Sequence, residues 1–431
     1  MRTARLPRNF CAVALFLLCF ALPALAKDNG FVRLFDGKTL NGWVMVGKAG
    51  PGYVPKDGIL VVPADGGGKL MTEKEYTDFI FRFEFKLDKA ANNGIGIRAP
   101  LEGDAAYNGM ECQVLDDSAP EYANLLPGQY HGSLYRIVAA KRGAQKPIGE
   151  WNKEEITAIG RHIKVVLNGK VIVDTNLNDV NSPEVFAEHG GGMFRERGHL
   201  GFLGHGPSEV QFRNVFAKDL SKPEKDNTPP PGFTALFNGK DLTGWKGLVA
   251  DPPARAKMSP AELATATTKA TEEALKHWKA VDGVITYDGK NNSLCTVKDY
   301  GDFEMVVDWK ISPHGDSGIY LRGSPQVQIW DDEPADAVKF GSGGLYNNQK
   351  NPSNPTKKAD KPIGEWNHFR ILMVGDKVTV YLNNELVVNN VTMENYWERN
   401  KPIYPFGQIE LQHHGSPLYF KNIYLREIPR K

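Results

Sequence analysis

Two tandem all-β domains, each a two-sheet sandwich or jelly roll and the second with a short helical insertion, are what this sequence predicts. Three observations lead there. Nearly the whole chain is written twice, its apolar residues alternate along short runs that end in Asn turns, and 44 Gly and 28 Pro among 431 residues supply many turns. Composition is that of an ordinary folded protein, 41% hydrophobic, 24% charged and 10% aromatic. The formal charge of +1, from 52 basic and 51 acidic residues, provides none of the basic stripe that nucleic-acid binding requires.

Residues 1–26 read as a secretory signal peptide. Arg2, Arg5 and Arg8 form a basic segment, Phe10 to Leu22 an apolar one, and Ala24-Leu25-Ala26 a small-x-small cleavage site. The apolar run is too short to span a bilayer, and no later run is long and apolar enough to be a transmembrane helix. The expectation is a periplasmic or secreted protein, cleaved after Ala26. Cys11 and Cys19 leave with the signal, while Cys112 and Cys295 fall in separate halves and read as buried small apolar residues.

The duplication fixes the organisation. Phe31-Val-Arg-Leu-Phe-Asp-Gly-Lys-Thr-Leu-Asn-Gly-Trp43 returns as Phe233-Thr-Ala-Leu-Phe-Asn-Gly-Lys-Asp-Leu-Thr-Gly-Trp245. Tyr76-Thr-Asp-Phe79 returns as Tyr300-Gly-Asp-Phe303, Gln113-Val-Leu-Asp-Asp117 as Gln328-Ile-Trp-Asp-Asp332, and Lys146-Pro-Ile-Gly-Glu-Trp-Asn152 unchanged at Lys361 to Asn367. Residues 27–220 are the first domain and 233–431 the second, with a Pro-rich linker at 221–232. Within each, Phe79 to Leu87 and Phe303 to Ile311 alternate as strands, and Ile163 to Leu167 and Val378 to Leu382 run into the Asn168-Gly169 and Asn383-Asn384 turns of hairpins. Ser259-Pro-Ala-Glu262 is a capping box that opens an alanine-rich helix ending near Trp278, read as a surface insertion covering an edge.

Strand alternation sorts the remaining polar residues by face. With Val327 and Ile329 inward, Gln326, Gln328 and Trp330 face outward; with Cys112 and Val114 inward, so do Glu111 and Gln113. Ile319 and Leu321 inward put Tyr320 and Arg322 outward, and Ile95 and Ile97 do the same for Arg98. Ile409 and Leu411 inward leave Glu410, Gln412 and His414 outward; the first copy keeps His205 there but has Gly201 and Leu203 opposite Glu410 and Gln412. A sheet face in water is often polar without a function, yet amide, guanidinium and aromatic groups together suit sugar hydroxyls. His131, in Tyr130-His-Gly-Ser-Leu-Tyr135, is read as a loop residue or a substrate contact. Asp116, Asp117, Asp331 and Asp332 are turn residues or ligands of a divalent ion, calcium or another. Lys-Pro-Ile-Gly-Glu-Trp-Asn is read as structural.

These blocks resemble a bacterial family described as 3-keto-glucoside 1,2-lyase/3-keto-2-hydroxy-glucal hydratase, or 3-keto-disaccharide hydrolase. The matching motifs are Leu-Phe-Asp/Asn-Gly-Lys-x-Leu-x-Gly-Trp, the Ser/Asn-Gly-Ile-x-x-Arg strand, Gln-Val/Ile-x-Asp-Asp, Gly-Glu-Trp-Asn and the final His-Gly, and they cover nearly the whole mature chain twice. The resemblance implies a concanavalin-A-like jelly roll acting on oxidised glucosides or disaccharides. A C3 ketone acidifies the C2 proton, a base removes it, the C1 substituent departs by β-elimination, and water adds back to the enone. That chemistry needs a base, an acid for the departing oxygen and a donor to the enolate. The expected roles are acid–base function for His414 and Glu410 and enolate stabilisation for Arg322. Gln326, Gln328, Asp331, Trp330, Gln412 and Tyr320 would hold the sugar. The first-copy equivalents are His205, Arg98 and Glu111, with Gln113, Asp116 and His131 as contacts. The first copy departs from the family's usual Leu-Gln-Asp/His-His-Gly, having Phe202-Leu-Gly-His-Gly206. Two other readings stay open: direct hydrolysis by a carboxylate pair, and a lectin-like sugar-binding protein whose duplication serves avidity.

Overall fold

The computed structural model describes residues 29–430 apart from 190, 224, 324–325 and 332–340. The signal segment at 1–26 and Asp332 lie outside the described residues. Four antiparallel sheets form two tandem sandwiches, each pairing an eight-stranded sheet with a five-stranded one. The large sheet of the first centres on Phe79–Leu87 and Val210–Asp219, that of the second on Phe303–Ile311 and Leu418–Glu427.

Alternation builds both cores. Phe79, Phe81, Phe83, Phe85 and Leu87 all point inward and are buried, while Ile80, Arg82, Glu84 and Lys86 point out. Each buried Phe contributes about 2 kcal/mol relative to exposure, and Phe202 and Phe212 pack ring to ring at 4.1 Å to join the two sheets. In the second sandwich Phe303, Met305, Val307, Trp309 and Ile311 take the same role. Both hairpins form where the Asn turns place them, His162–Leu167 with Lys170–Asn176 and Lys377–Leu382 with Glu385–Thr392. Asn168, Gly169, Asn383 and Asn384 all have positive φ, as a twist-matched two-residue turn requires.

The repeated Gly-Glu-Trp-Asn block is structural in both copies. Asn152 Oδ1 accepts from Lys146 N and Asn168 Nδ2, both at 2.8 Å, and Asn367 does the same for Lys361 N and Asn383 Nδ2. Trp151 lies under Arg213 and Trp366 under Lys421. The helix Pro260–His277 carries its capping box, Ser259 N donating to Glu262 Oε2 at 2.8 Å. It covers the edge strand Trp245–Gly247, where Thr271 Oγ1 accepts from Gly247 N, and it sends Ala274 into the core. Among the described residues no helix is long and apolar enough to cross a membrane.

The two sandwiches meet through the outer face of the second large sheet. Glu304, buried there, is held by Arg370 and Arg426, and Arg370 also pairs with Glu196 of the first sandwich. Burial alone would raise the Glu304 pKa; Arg370, Arg161 and Arg426 bring it down to about 2. Asn384 binds Glu196 N and Arg197 O, and Tyr381 and Leu372 pack into the first core. The linker is tied down as well, Asn227 and Asn422 exchanging backbone-to-amide hydrogen bonds and Asp226 pairing with Lys421 at 2.7 Å.

Candidate active site

The small sheet of the second sandwich runs Trp245–Gly247, Leu294–Thr296, Glu410–Leu411, Asp316–Tyr320, Gln326–Trp330. Its register stacks the outward side chains in rows. Cys295, Glu410, Tyr320 and Gln326 are successive cross-strand partners and make one row. Gln412, Gly318 and Gln328 make the next, and Asp316 opposite Trp330 begins a third. The alternation expected for Glu410, Gln412, Gln326, Gln328 and Tyr320 is therefore the arrangement found.

Glycine at 318 opens the middle of this face. The Gln326 amide lies over it, where a Cβ would come within 2.4 Å of Oε1. Gln326 Nε2 donates to Gln328 Oε1, Gln328 Nε2 to Asp316 Oδ1 at 2.7 Å, and Asp316 Oδ2 lies 3.1 Å from His414 Nδ1. A chain of polar groups thus crosses the sheet and ends on an exposed imidazole. The Nδ1 contact leaves Nε2 of His414 for a ligand. Among the described residues two buried amide oxygens, Gln326 Oε1 and Gln412 Oε1, have no hydrogen-bond partner and offer themselves to hydroxyl donors.

Glu410 is the ionisable centre of the first row. Burial pushes its carboxyl up to about 7, against smaller opposing effects of the Ser293 hydroxyl and the Arg255 charge. Burial, then the Glu410 charge, raises the Tyr320 pKa, so its hydroxyl keeps a proton to donate. The same two causes push the Cys295 thiol up to about 12, which leaves it neutral and unreactive. His414 and Glu410 are four positions apart along the sheet, roughly 13 Å between backbones, with the amides between them.

Arg322 and Arg98 correct the expectation that both face outward. Each has a positive φ, 55° and 50°, which breaks the alternation and turns the guanidinium toward loops of the large sheet. Arg322 donates to the carbonyls of Gly301 and Gly375 and pairs with Asp302. Arg98 donates to Thr77 and Gly160 carbonyls. Both are buried and spent on fastening the sandwich, so neither reaches an enolate.

The first sandwich has the same rows with different contents. Glu111 replaces Gln326 and lies over Gly94, its Oε1 at 3.3 Å from His205 Nε2. That bond raises the His205 pKa. Gln113 Nε2 donates to Asn92 Oδ1 at 2.8 Å, as Gln328 does to Asp316. Gly201 and Leu203 stand where Glu410 and Gln412 do, and a roof covers them. Twelve residues separate Arg98 from Glu111, against three between Arg322 and Gln326, and the extra chain places Leu101 and Ala105 on Met71 and Leu203. Lys69 holds the roof through the carbonyls of Leu101 and Gly103 at 2.7 and 2.6 Å.

Four further expected contacts fall elsewhere. Asp331 Oδ2 accepts from His314 N at 2.7 Å and Asp116 Oδ2 from Ala90 N at 2.8 Å, each steadying a neighbour whose φ is 58°. Both are turn residues, and Asp117 likewise accepts from His131 N. Among the described residues no three His, Cys, Asp or Glu side chains come together to hold a metal ion. His131 lies buried in the core, its ring tilted against Phe85 at 5.0 Å and 3.3 Å from the buried Glu154, away from the outward face. Trp330 donates from Nε1 to Gly341 O and lines a cavity of about 250 Å³ at the sheet edge with Lys358, Asp360 and Pro362, none of them in the Glu410 row.

The structure adds residues that alternation cannot reveal. Asp316 anchors His414, and its polar position could have been read from Gly318 and Ile319 two and three places on. Arg255 comes from an insertion without a counterpart in the first copy, and the exposed pair Tyr396 and Trp397 from the connection that precedes the Glu410 strand, where Trp397 Nε1 donates to Gly323 O at 2.9 Å. Nothing in their spacing announces that they meet the sheet.

Comparison with known proteins places the chain in a family. A curated 3-keto-disaccharide hydrolase of Bacteroides thetaiotaomicron is 27% identical over 231 residues, which are 44% of this chain and 79% of that protein. A crystal structure of a candidate glycosyl hydrolase from Parabacteroides distasonis is 27% identical with a TM-score of 0.39, over 44% of this chain and 99% of its own. A second from the same organism is 25% identical with a TM-score of 0.39, over 45% and 95%. The model of the 3-keto-alpha-glucoside-1,2-lyase-like domain matches residues 30–218 and again 232–426. The chain therefore belongs to that family, with two copies of its domain in tandem.

Proposed function

We propose that the protein is an exported carbohydrate-active enzyme that cleaves 3-keto-glucosides by elimination and hydration, and that the second sandwich performs the reaction. The observation that carries this reading is Glu410, a buried carboxyl poised near pH 7 on a face otherwise made of amides and a tyrosine. A base with that pKa is half ionised at neutral pH and can take the acidified C2 proton of a 3-keto sugar. The C2–H electron pair moves toward C3, and the C3 oxygen gains negative charge. Tyr320, protonated and adjacent to Glu410, is one donor to that oxygen. The enolate then expels the C1 substituent, whose oxygen takes a proton from His414 Nε2 with Asp316 holding Nδ1. Water adds to C1 and a proton returns to C2, releasing a 3-keto sugar. Gln326, Gln328 and Gln412 orient the hydroxyls. Membership of the family and the relative's name support the substrate class, and the N-terminal 26 residues support export.

Incubation with a 3-keto-glucoside in deuterated water tests the reading. Deuterium at C2 of the released sugar, above an enzyme-free control, is expected. Cleavage without it would favour direct hydrolysis, and saturable binding without cleavage a sugar-binding protein.

A further inference from the structure

We infer that Arg255 is the cation that receives the enolate, its open guanidinium nitrogens meeting the C3 oxygen of the sugar whose C2 proton Glu410 removes. The inference rests on the reading of the Glu410 face given above and supplies what that face otherwise lacks. An enolate needs a charged donor in place before it forms, and Arg322 is withdrawn into the sandwich.

Arg255 arrives on an insertion of the second copy. Thirty residues separate Gly247 from Trp278, against four between Ala49 and Val54 in the first copy. The insertion opens with a short turn, Pro252–Arg255, whose cap Asp251 accepts from Ala254 N at 2.8 Å. Arg255 Nη1 donates to the carbonyls of Val249 and Ala250, which fixes the side chain by one end. Its Nη2 stands at the rim of the face, 3.4 Å from where a Cβ of Gly323 would be. Gly323 N donates to Gln408 O at 2.9 Å, and Glu410 is the next outward residue along that strand. Among the described residues no carboxylate pairs with Arg255, and its Nε and Nη2 carry no hydrogen bond. Glu410 and Cys295, both in the first row, feel its charge. A guanidinium anchored at one nitrogen, open at the others and one row from the base is placed to bind an oxyanion.

The proton and electron count closes without another reactant. The C2–H bond breaks to Glu410, its electron pair becomes the C2–C3 π bond, and the carbonyl pair moves onto the C3 oxygen facing Arg255.

Steady-state rates of Arg255→Met, Arg255→Lys and Glu410→Gln on one 3-keto-glucoside, across pH, test this. For Arg255→Met we expect kcat to fall about 100-fold with KM changed far less. The acid limb of its kcat/KM profile should also move to higher pH, because the lost charge no longer helps Glu410 ionise. Arg255→Lys should keep the limb and recover part of the rate. A kcat within threefold of the parent in Arg255→Met overturns the inference. So does a loss that Arg255→Lys does not relieve, with an unmoved limb and lowered Tm, which would mark a purely structural turn. Full turnover by Glu410→Gln would instead overturn the reading of the face itself, and the inference with it.

Discussion

The two sandwiches share a fold, a strand order and most of their turn chemistry, yet they treat the same sheet face in opposite ways. In the second, rows of buried polar groups line the face, with the Glu410 carboxyl among them. In the first, Gly201 and Leu203 replace the carboxyl and an amide, and Leu101 and Ala105 close over the place. What remains there is Glu111 beneath a half-exposed His205. Loop length differs as well: extra residues close over Leu203 in the first, whereas an insertion brings Arg255 to Gly323 in the second. On the proposed reading, the two copies of one domain have diverged in loop length and in what their small sheets display, the second keeping the carboxyl and the amides.

The largest expected effect follows directly. Glu410→Gln should lower kcat about 1,000-fold, while Glu111→Gln in the first sandwich leaves it within twofold; equal losses would break the comparison. His414→Asn should cost about 100-fold and His205→Asn almost nothing, by the same rate assay. Stability should move the other way. A carboxyl whose folded pKa is above its unfolded 4.5 holds its proton more tightly when folded, so its contribution is lost as pH rises from about 4.5 to about 7. Above pH 7 the buried charge costs about 3 kcal/mol, and Glu410→Gln should be the more stable protein by up to that much at pH 8 in urea unfolding. The smallest effect concerns the contact between sandwiches. Burial would lower the His368 pKa, but Glu196 and then Asp308 raise it to about 10. Its contribution is present below about pH 6.5 and fades toward pH 10, so His368→Gln should blunt the alkaline loss of Tm.

Much of this was readable in the chain. Alternation placed Glu410, Gln412, Gln326, Gln328, Tyr320, Glu111 and Gln113 on the outward face, because each strand there is regular. It failed at Arg98 and Arg322, where one residue with positive φ at a strand end reverses the side chain, and no composition signal marks that. His131, read as a loop residue or substrate contact, instead joins Glu154 and Cys112 in a polar cluster inside the first core, which its neighbours in sequence do not announce. Asp316 was legible in principle from its place two residues before Gly318. Arg255, Tyr396 and Trp397 were not, because their closeness to the sheet depends on loops that meet only after folding.

The bond between the sandwiches has a consequence for traffic. Arg370, through Glu196, and Arg426, through the Asn178 carbonyl, fasten the second large sheet to the first sandwich, and the Glu410 face belongs to the opposite sheet. The first sandwich stands behind the second, like a plinth. With the Glu410 face as the active site proposed above, a substrate would arrive from bulk solvent without any hinge opening between domains, its capture governed by diffusion and the local field at Arg255.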